Sequence, residues 1–564
     1  MDSTTVTWVL LSACFTMLIL PWFLLRIYWR QSGEALLPNE IVGHLEGLTR
    51  DILEDRSLEA TKWICGICDF HNATDQSACV LCHTTKGIYL LERREFVAVE
   101  GTLRLDQLNI DQWAARNRKQ WLREFQDQNW KWLASRPLEK STTFYSVEAS
   151  EPNGTMAWLP LADSTAGSTV LGDELPSWWF SLLQELRDLH FSLTYAWLLS
   201  YLSYSYNDKR HVTTTRDNIF KESLWALENL KVDQLCSRTK VTLKGEVAVD
   251  AGGVSREWYT LLTYAIFEPK RGLFIANKTD QYFFINPNSE RDHGRKHLEK
   301  FHAIGRLLGR AIVDEQVLPF HFSVPLFKMI LGYPISMDDI RYLDPTVHSS
   351  LEFVRDSPDV EALTLTFSVS VDATTEVDLI PNGRDVAVTN FNKAEYVERM
   401  VRYLLFDSIA PQLQSMIQGL YEVLPPEVLM VFDYKELELV LCGFSEIDVS
   451  DWRRCTTVSR SLEMIVDWFW DIVEFEMTSV ERERFLQFTT GSSRVPLQGF
   501  KGLTSHDGRL CPFSLRGVPY TKGAFPKVHS CFNRIDLPVY PTRELLREGL
   551  FALVNIESMA FTLV

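Results

Sequence analysis

The side chains best suited to covalent chemistry in this chain are thiols. Its ten cysteines are Cys14, Cys65, Cys68, Cys79, Cys82, Cys236, Cys442, Cys455, Cys511 and Cys531, and only the second to fifth are clustered. Cys442 lies in an apolar run, LVLCGF, and reads as a core residue. Cys531, in FPKVHSCFNRIDLPVY (525–540), instead has His529, Ser530, Asn533 and Arg534 as polar neighbours. A loop thiol beside a cationic Arg has its pKa lowered, and even at about 8.5 a few per cent is thiolate near neutrality, enough to attack a thioester. On these residues alone the reading stays open between a nucleophile and a bland exposed thiol, because one Cys near one His is weak evidence.

The clustered cysteines point to a metal. WICGICDFHNATDQSACVLC (63–82) sets two C-x-x-C knuckles, Cys65/Cys68 and Cys79/Cys82, ten residues apart. Four thiolates complete a tetrahedral zinc site, and zinc replaces the core that about 30 residues cannot build alone. Structural zinc is therefore the expected cofactor. A metal site plus scattered free thiols indicates a reducing compartment rather than a disulfide framework. The finer pattern has Trp63 two before the first Cys, Asn72 four after the second, and then six residues to the third. It resembles the Ran-binding-protein type of zinc finger. That resemblance implies ubiquitin binding in some members, through a Thr-Phe pair and an apolar residue before the last Cys. Phe70 and Leu81 match, while Asp69 stands where Thr would be, so a ubiquitin-binding role and a purely structural one both stand. The finger has no arginine, unlike the members that bind single-stranded RNA.

These residues need a large frame. A chain of 564 residues is too long for one core, and about two to four domains are expected. Hydrophobic residues at 46%, charged at 23% and aromatic at 12% describe a chain that folds. The net charge of −17, with no long Lys/Arg run, speaks against nucleic acid as a partner and for protein. Thr7 to Leu25 gives 19 residues without a charge, a length of about 28 Å as a helix. Trp8, Trp22, Tyr28 and Trp29 stand near its ends, no Lys or Arg precedes it, and Arg26 and Arg30 follow. The expectation is a single-pass membrane anchor over 7–25, rather than a cleaved signal peptide, with the catalytic region in the cytosol.

Between anchor and C-terminal region the patterns are mixed. In DQWAARNRKQWLREFQDQNWKWLA (111–134) the spacing of Trp113, Trp121, Phe125 and Trp132 predicts a packed helix, with a partner-binding helix as the alternative. The polar stretch 148–168 predicts a linker. From about residue 177, helical patterns (178–201, 394–406) alternate with strand-like ones (241–253, 363–372), which predicts mixed α and β structure.

The segment around Cys531 matches the active-site loop of HECT-type ubiquitin ligases, where a His-Thr-Cys-Phe-Asn run precedes Leu-Pro; Ser530 replaces the Thr. Further blocks resemble the family in order and spacing: DAGGVSREW (250–258), INPNS (285–289), IGRLLGRAI (304–312), PNGRDVAVT (381–389), LCGFSEIDVSDW (441–452) and LQFTTGSSRVPLQGF (486–500). The likeness covers about 177–564 and is closest to the class that carries WW domains, although neither a WW nor a lipid-binding domain is recognisable. It implies an α+β, bilobal HECT domain: a mainly helical N-lobe (177–455), a hinge (456–462) and an α/β C-lobe (463–564). The zinc finger (58–90), a middle region and linker (91–176) and the one transmembrane helix precede it.

The resemblance further implies ubiquitin, a ubiquitin-conjugating enzyme and protein substrates as partners. It makes Cys531 the site of a glycyl thioester, with His529 beside it, and places the conjugating enzyme at Met329, Leu331, Tyr396 and Met400. Phe561, fourth from the end, matches the family's aromatic tail residue. DAGGVSREW reads as structural, with a tight turn at Gly252 and Gly253 and with Arg256 and Glu257 able to pair. Two departures stand out. The interlobe segment CTTVSRSL (455–462) is short and lacks glycine, which implies a stiff hinge, and the chain ends in Val564 rather than an acidic side chain. The α-carboxylate of Val564, Asp536 and Glu557 are then the candidates to deprotonate an incoming lysine. The expected function is a membrane-anchored ligase; a cysteine hydrolase acting on ubiquitin, or a ubiquitin-binding membrane adaptor with an inactive HECT-like domain, are the alternatives.

Overall fold

In a computed structural model, the structure describes residues 62–554 apart from 73, 75, 92–100, 139–141, 153, 188, 206–207, 236, 245–252, 278–281, 372–374, 445–446, 498 and 505–509. Two short strands, β1 (Trp63–Ile64) and β2 (His71–Asn72), open the cysteine-rich segment and pair antiparallel. Helix α1 (Ile110–Asn117) is started by Asn109, whose side chain accepts from the Gln112 amide, satisfying one of the amides a helix start leaves unpaired.

The helix expected over 111–134 is corrected here. It stops at Asn117, and 121–134 is a hairpin of β3 (Trp121–Gln126) and β4 (Asn129–Ala134). Asp127 and Gln128 both take positive φ (51° and 67°), the geometry of the two-residue turn that matches strand twist. Phe125 faces Trp130 and Arg123 faces Trp132 across the ladder, so aromatic spacing that mimicked a helical stripe is strand alternation. The expected linker at 148–168 is likewise corrected. β5 (Phe144–Ala149) and β6 (Met156–Pro160) form a hairpin whose turn holds Gly154. Trp158 in β6 packs toward Phe406 with ring centres 6.2 Å apart.

A mainly helical unit follows: α2 (Ser177–Arg187), α3 (Phe191–Ser205), α4 (Gly253–Phe267), α5 (His297–Val313) and α6 (Val324–Leu331). Strand β7 (Ile335–Ser336) then joins β5 as the third strand of the hairpin sheet. Helices α7 (Pro345–Asp356), α8 (Lys393–Arg402), α9 (Ala410–Val423) and α10 (Tyr434–Cys442) complete the unit. Its axis is the α5–α9 pair. A Cβ on Gly305 would collide with the Met416 carbonyl and one on Gly419 with the His302 carbonyl, so glycine sets how closely the helices approach. On α5, Arg310 is fully buried and donates to the Thr239 hydroxyl (2.8 Å) and the Leu235 carbonyl (3.2 Å). The block IGRLLGRAI is thus a packing element.

The second unit begins with α11 (Val449–Arg454) and β8 (Thr457–Val458), then α12 (Val466–Asp471) and α13 (Ser479–Thr490). It continues through β9 (Ser514–Val518), β10 (Lys527–His529), β11 (Arg534–Pro538) and α14 (Arg543–Val554). The sheet order is β8-β9-β11-β10, parallel except for the last pair. Trp452 anchors its core, stacked on Phe500 at 4.8 Å and ringed by Trp470, Phe485 and Phe513. The two hydrophobic cores part between Cys442 and Val449, ahead of the 456–462 segment expected to join them. Thr457 and Val458 of that segment pair with Ser514 and Leu515, so they belong to the second sheet.

Residues 62–175 join the first core. Arg118 is buried between Asp433 (2.5 Å) and Glu436 (3.1 Å) of the α10 N-terminus, and the Tyr434 hydroxyl donates to the Ala114 carbonyl (2.7 Å). Burial and the neighbouring Asp433 push the Glu436 carboxyl up to about 7. Removing the cation strands two buried carboxylates, so Arg118→Met is expected to cost about 3–5 kcal/mol at pH 8. Arg118 holds the Glu436 pKa down, so the variant's carboxyl takes up a proton at a higher pH than the wild type's, and the extra loss shrinks as pH falls from 8 through about 7. Urea midpoints at pH 8 and pH 6 test this. An equal loss at both would mean that the carboxylates are not the cause.

The single-pass membrane location, and the transmembrane helix within the expected fold, are also corrected. No helix among the described residues is long and apolar enough to cross a membrane, and the 7–25 stretch itself lies outside the described residues. A charge-free run supplies the length of a span, which is not yet a span.

Candidate functional site

The Cys531 segment is the tip of a hairpin. β10 leads into a single 3-10 turn, Ser530–Phe532, in which the Ser530 carbonyl accepts from the Asn533 amide (3.3 Å). Asn533 takes φ 47°, a left-handed conformation that Asn tolerates better than most side chains. The chain then reverses into β11, with His529 opposite Arg534. The Asn533 side chain is fully buried and donates to the carbonyls of Thr504 (3.0 Å) and Cys511 (2.8 Å). Cys531 is the central residue of this turn.

Two other candidates meet beside it. His529 Nε2 lies 3.1 Å from Asp536 Oδ2, and Arg534 Nε lies 3.2 Å from Asp536 Oδ1. One carboxylate thus lies against both the His529 ring and the Arg534 guanidinium on the strands flanking the turn. Phe561, Glu557 and Val564 lie outside the described residues.

The residues expected at the conjugating-enzyme surface do not form one surface. Met329 and Leu331, on α6, are completely buried in the first core, and a partner reaches them only by opening it. Tyr396, on α8, is buried edge-on to Phe367 at 5.5 Å, and Met400 is half-buried on the same helix. Sequence reasoning missed two side chains near α8. Phe353, on α7, is 61% exposed and Phe391, just before α8, is wholly exposed. Lys393 of α8 donates to the Ser357 carbonyl at the end of α7, which ties the two helices together. The signal was a Phe between Glu352 and Arg355, on a charged stretch where no core residue is needed.

The four cysteines do converge. Cys65 and Cys82 sulfurs are 3.5 Å apart, Cys68 and Cys79 sulfurs 3.6 Å, and all four lie within 4.8 Å of one another. Tetrahedral Zn–S bonds of about 2.3 Å require sulfur separations of about 3.8 Å, so the donor set fits. The two knuckles are built alike. Asp69 N donates to Cys65 O and His83 N to Cys79 O, and Asp69 and His83 both take positive φ (58° and 55°). Asn72 staples them, accepting from Val80 N (3.0 Å) and donating to Phe70 O (3.0 Å). Thr84 contacts the Cys82 sulfur (3.1 Å) and accepts from Gln112 of α1 (2.9 Å). Phe70 and Leu81 are buried; Phe70 lies 6.0 Å from Phe191 of α3 and under the Arg118 guanidinium at 5.6 Å. Lys62 donates to Ser192 (2.9 Å) and lies 3.1 Å from His190.

Cys531 thus stands in a hairpin turn of a small α/β unit beside a larger helical one. A family model described as the HECT-domain (ubiquitin-transferase) matches residues 260–564, more than half of the chain. The chain belongs to that family, the HECT-type ubiquitin transferases. It is 37% identical over 353 residues to "E3 ubiquitin-protein ligase TOM1" of Saccharomyces cerevisiae, covering 62% of this chain and 11% of that protein. Over 357 residues it is 37% identical to "E3 ubiquitin-protein ligase ptr1" of Schizosaccharomyces pombe, with the same coverage of both chains. Drosophila melanogaster "E3 ubiquitin-protein ligase Smurf1" is 40% identical over 347 residues, covering 60% of this chain and 32% of that one. The chain therefore spans about a tenth of the length of the two yeast proteins.

Proposed function

We propose that this chain is a ubiquitin-protein ligase that takes ubiquitin from a conjugating enzyme onto Cys531 and passes it to substrate lysines. The observation that carries the reading is the placement of Cys531: the family's thiol motif falls at a hairpin tip whose backbone is fixed by Asn533. In the first step the Cys531 thiolate attacks the thioester carbonyl of the charged conjugating enzyme, and that enzyme's thiolate leaves. In the second a lysine amine attacks the new thioester, the C–S bond breaks, Cys531 leaves as thiolate, and the amine proton passes to a base. Deprotonating a lysine of pKa about 10.4 near pH 7 costs roughly 4 kcal/mol, so a carboxylate near the turn contributes directly. Asp536 is the described candidate; its pairing with His529 and Arg534 also suits it to orienting His529.

The two cores support N- and C-lobes that part near 443–448. The exposed Phe353 and Phe391, with the half-buried Met400, are apolar side chains open to the conjugating enzyme in that region. The cysteine cluster would hold one structural zinc in a finger of the Ran-binding-protein type. Inward-facing Phe70 and Leu81 favour docking of that finger on the N-lobe over ubiquitin binding. The purified chain, incubated with activating enzyme, conjugating enzyme and ubiquitin, tests the whole: a thiol-sensitive adduct that passes to lysine means ligase, whereas chain cleavage means hydrolase.

Phe561 belongs to the second step in this reading. An aromatic inserted between lobes contributes on the order of 1.5–3 kcal/mol, roughly ten-fold or more in the locked population. Phe561→Ala should still accept ubiquitin on Cys531 and transfer it at least several-fold more slowly. Unchanged transfer in a single-turnover assay would remove the tail from the mechanism.

A further inference from the structure

Helix α4 turns one face to the second unit. Arg256, Thr260 and Tyr264 recur every four residues, the spacing that stacks side chains along one side of a helix. Tyr264 hydroxyl lies 3.4 Å from Ser493 Oγ, and Thr260 Oγ1 3.4 Å from the Gly491 carbonyl at the end of α13. Arg256 goes further, into the hairpin tip. Its guanidinium donates to the Thr504 carbonyl (3.1 Å) and to the Ser530 carbonyl (3.4 Å).

Those two oxygens are the ones that shape the turn. The Ser530 carbonyl closes it by accepting from Asn533 N, and the Thr504 carbonyl also accepts the Asn533 side chain. Arg256 from the first core and Asn533 from the second therefore meet on the Ser530 carbonyl, one residue before Cys531. The neighbouring Glu257 takes a different partner, Arg216 at 2.5 Å. Arg256 and Glu257 of DAGGVSREW thus divide their tasks: Glu257 ties α4 into its own unit and Arg256 reaches out of it.

We infer that Arg256 is a positioning residue for the transfer step, holding the Cys531 turn against the helical unit while a substrate lysine attacks. The inference deepens the ligase reading and rests on it. Loading requires only that the thiol meet the conjugating enzyme, and in that step the turn is free to leave Arg256. Transfer requires the loaded turn to stay fixed beside a second protein, because a misplaced reacting group loses the advantage of proximity. A guanidinium bridging two carbonyls also crosses from one core to the other, so it fixes the turn and the relative placement of the units together. Among the described contacts of the turn, it is the charged one that comes from outside the second unit.

Two readouts on the full chain test this. Hydrogen exchange, followed without any ubiquitin, should be faster over 525–540 in Arg256→Ala than in the wild type. Single-turnover assays should show Arg256→Ala loading Cys531 at close to the wild-type rate. Its transfer to lysine should be roughly ten-fold slower, as expected for loss of a charge-assisted hydrogen bond. Arg256→Lys keeps a cation and one donor direction, so its transfer should fall between the two. Unchanged exchange, or transfer from Arg256→Ala at the wild-type rate, overturns the inference. So does an equal loss of loading and transfer in Arg256→Lys, which would mark Arg256 as a residue that only holds α4 together. A wild-type chain that never loads Cys531 would sink the ligase reading instead, and the exchange result would still decide whether Arg256 holds the turn.

Discussion

Cys531→Ala should form no thiol-sensitive ubiquitin adduct under conditions that charge the wild-type chain. The expected effect is complete because the other described thiols are poor substitutes. Cys442 is fully buried, and burial holds its thiol well above the usual range. Burial and then the Asp451 carboxylate push Cys455 up to about 11, which leaves about one part in ten thousand as thiolate at pH 7. Cys65, Cys68, Cys79 and Cys82 face one another in a buried cluster. Cys511 is half-buried, with its sulfur 3.3 Å from the Phe532 carbonyl, and sits beneath the turn. Cys531→Ser keeps a nucleophilic oxygen and should trap a slower, thiol-resistant oxyester. The assay is a reducing-versus-nonreducing comparison of the charged chain. A surviving thiol-sensitive adduct in Cys531→Ala would move the acceptor to another cysteine, and Cys511 would be the first to replace.

How far the sequence carried these conclusions depended on whether a residue's role is local. The four-cysteine cluster was legible because two C-x-x-C pairs ten residues apart can converge without help from the rest of the chain, and the structure brings their sulfurs together. Cys531 was legible through the residues on either side of it. Arg256 was not, because its partners at Thr504 and Ser530 lie some 250 residues away and no periodicity reports such a contact. Two local patterns misled. Trp113, Trp121, Phe125 and Trp132 lie roughly at helical spacing, yet Trp121, Phe125 and Trp132 also fit a two-residue alternation, and the positive-φ pair Asp127–Gln128 decides for the hairpin. Phe70 and Leu81 look like a binding face within the finger, but both are buried, and Phe70 meets Phe191 of α3, some way along the chain. Met329 and Leu331 were placed at a surface by likeness, and α6 buries both because its apolar residues leave little face for water.

Removing the metal should be the largest stability change available in the N-terminal half. Binding of a structural zinc at neutral pH is worth on the order of 10 kcal/mol and is folding energy for a segment that has few other contacts of its own. Within 62–91 the regular structure is little more than one two-residue ladder and a pair of knuckles, so the segment cannot hold its shape on hydrogen bonds alone. Its docking then follows. The Phe70 ring against Phe191, Lys62 on Ser192 and Thr84 under Gln112 all depend on the knuckles keeping their geometry. The wild-type chain should contain one zinc per molecule by elemental analysis, and the Cys65→Ala, Cys79→Ala double variant none. In that variant hydrogen exchange should rise steeply over 62–91 and less over 110–117 and 191–205, the two helices on which the segment rests. Exchange over 528–538 should keep its wild-type rate, because the described contacts of the turn come from the second unit and Arg256. Full protection of 62–91 in a metal-free double variant would mean that packing, not zinc, folds the segment. Zinc retained by that variant would place the metal somewhere other than the four cysteines.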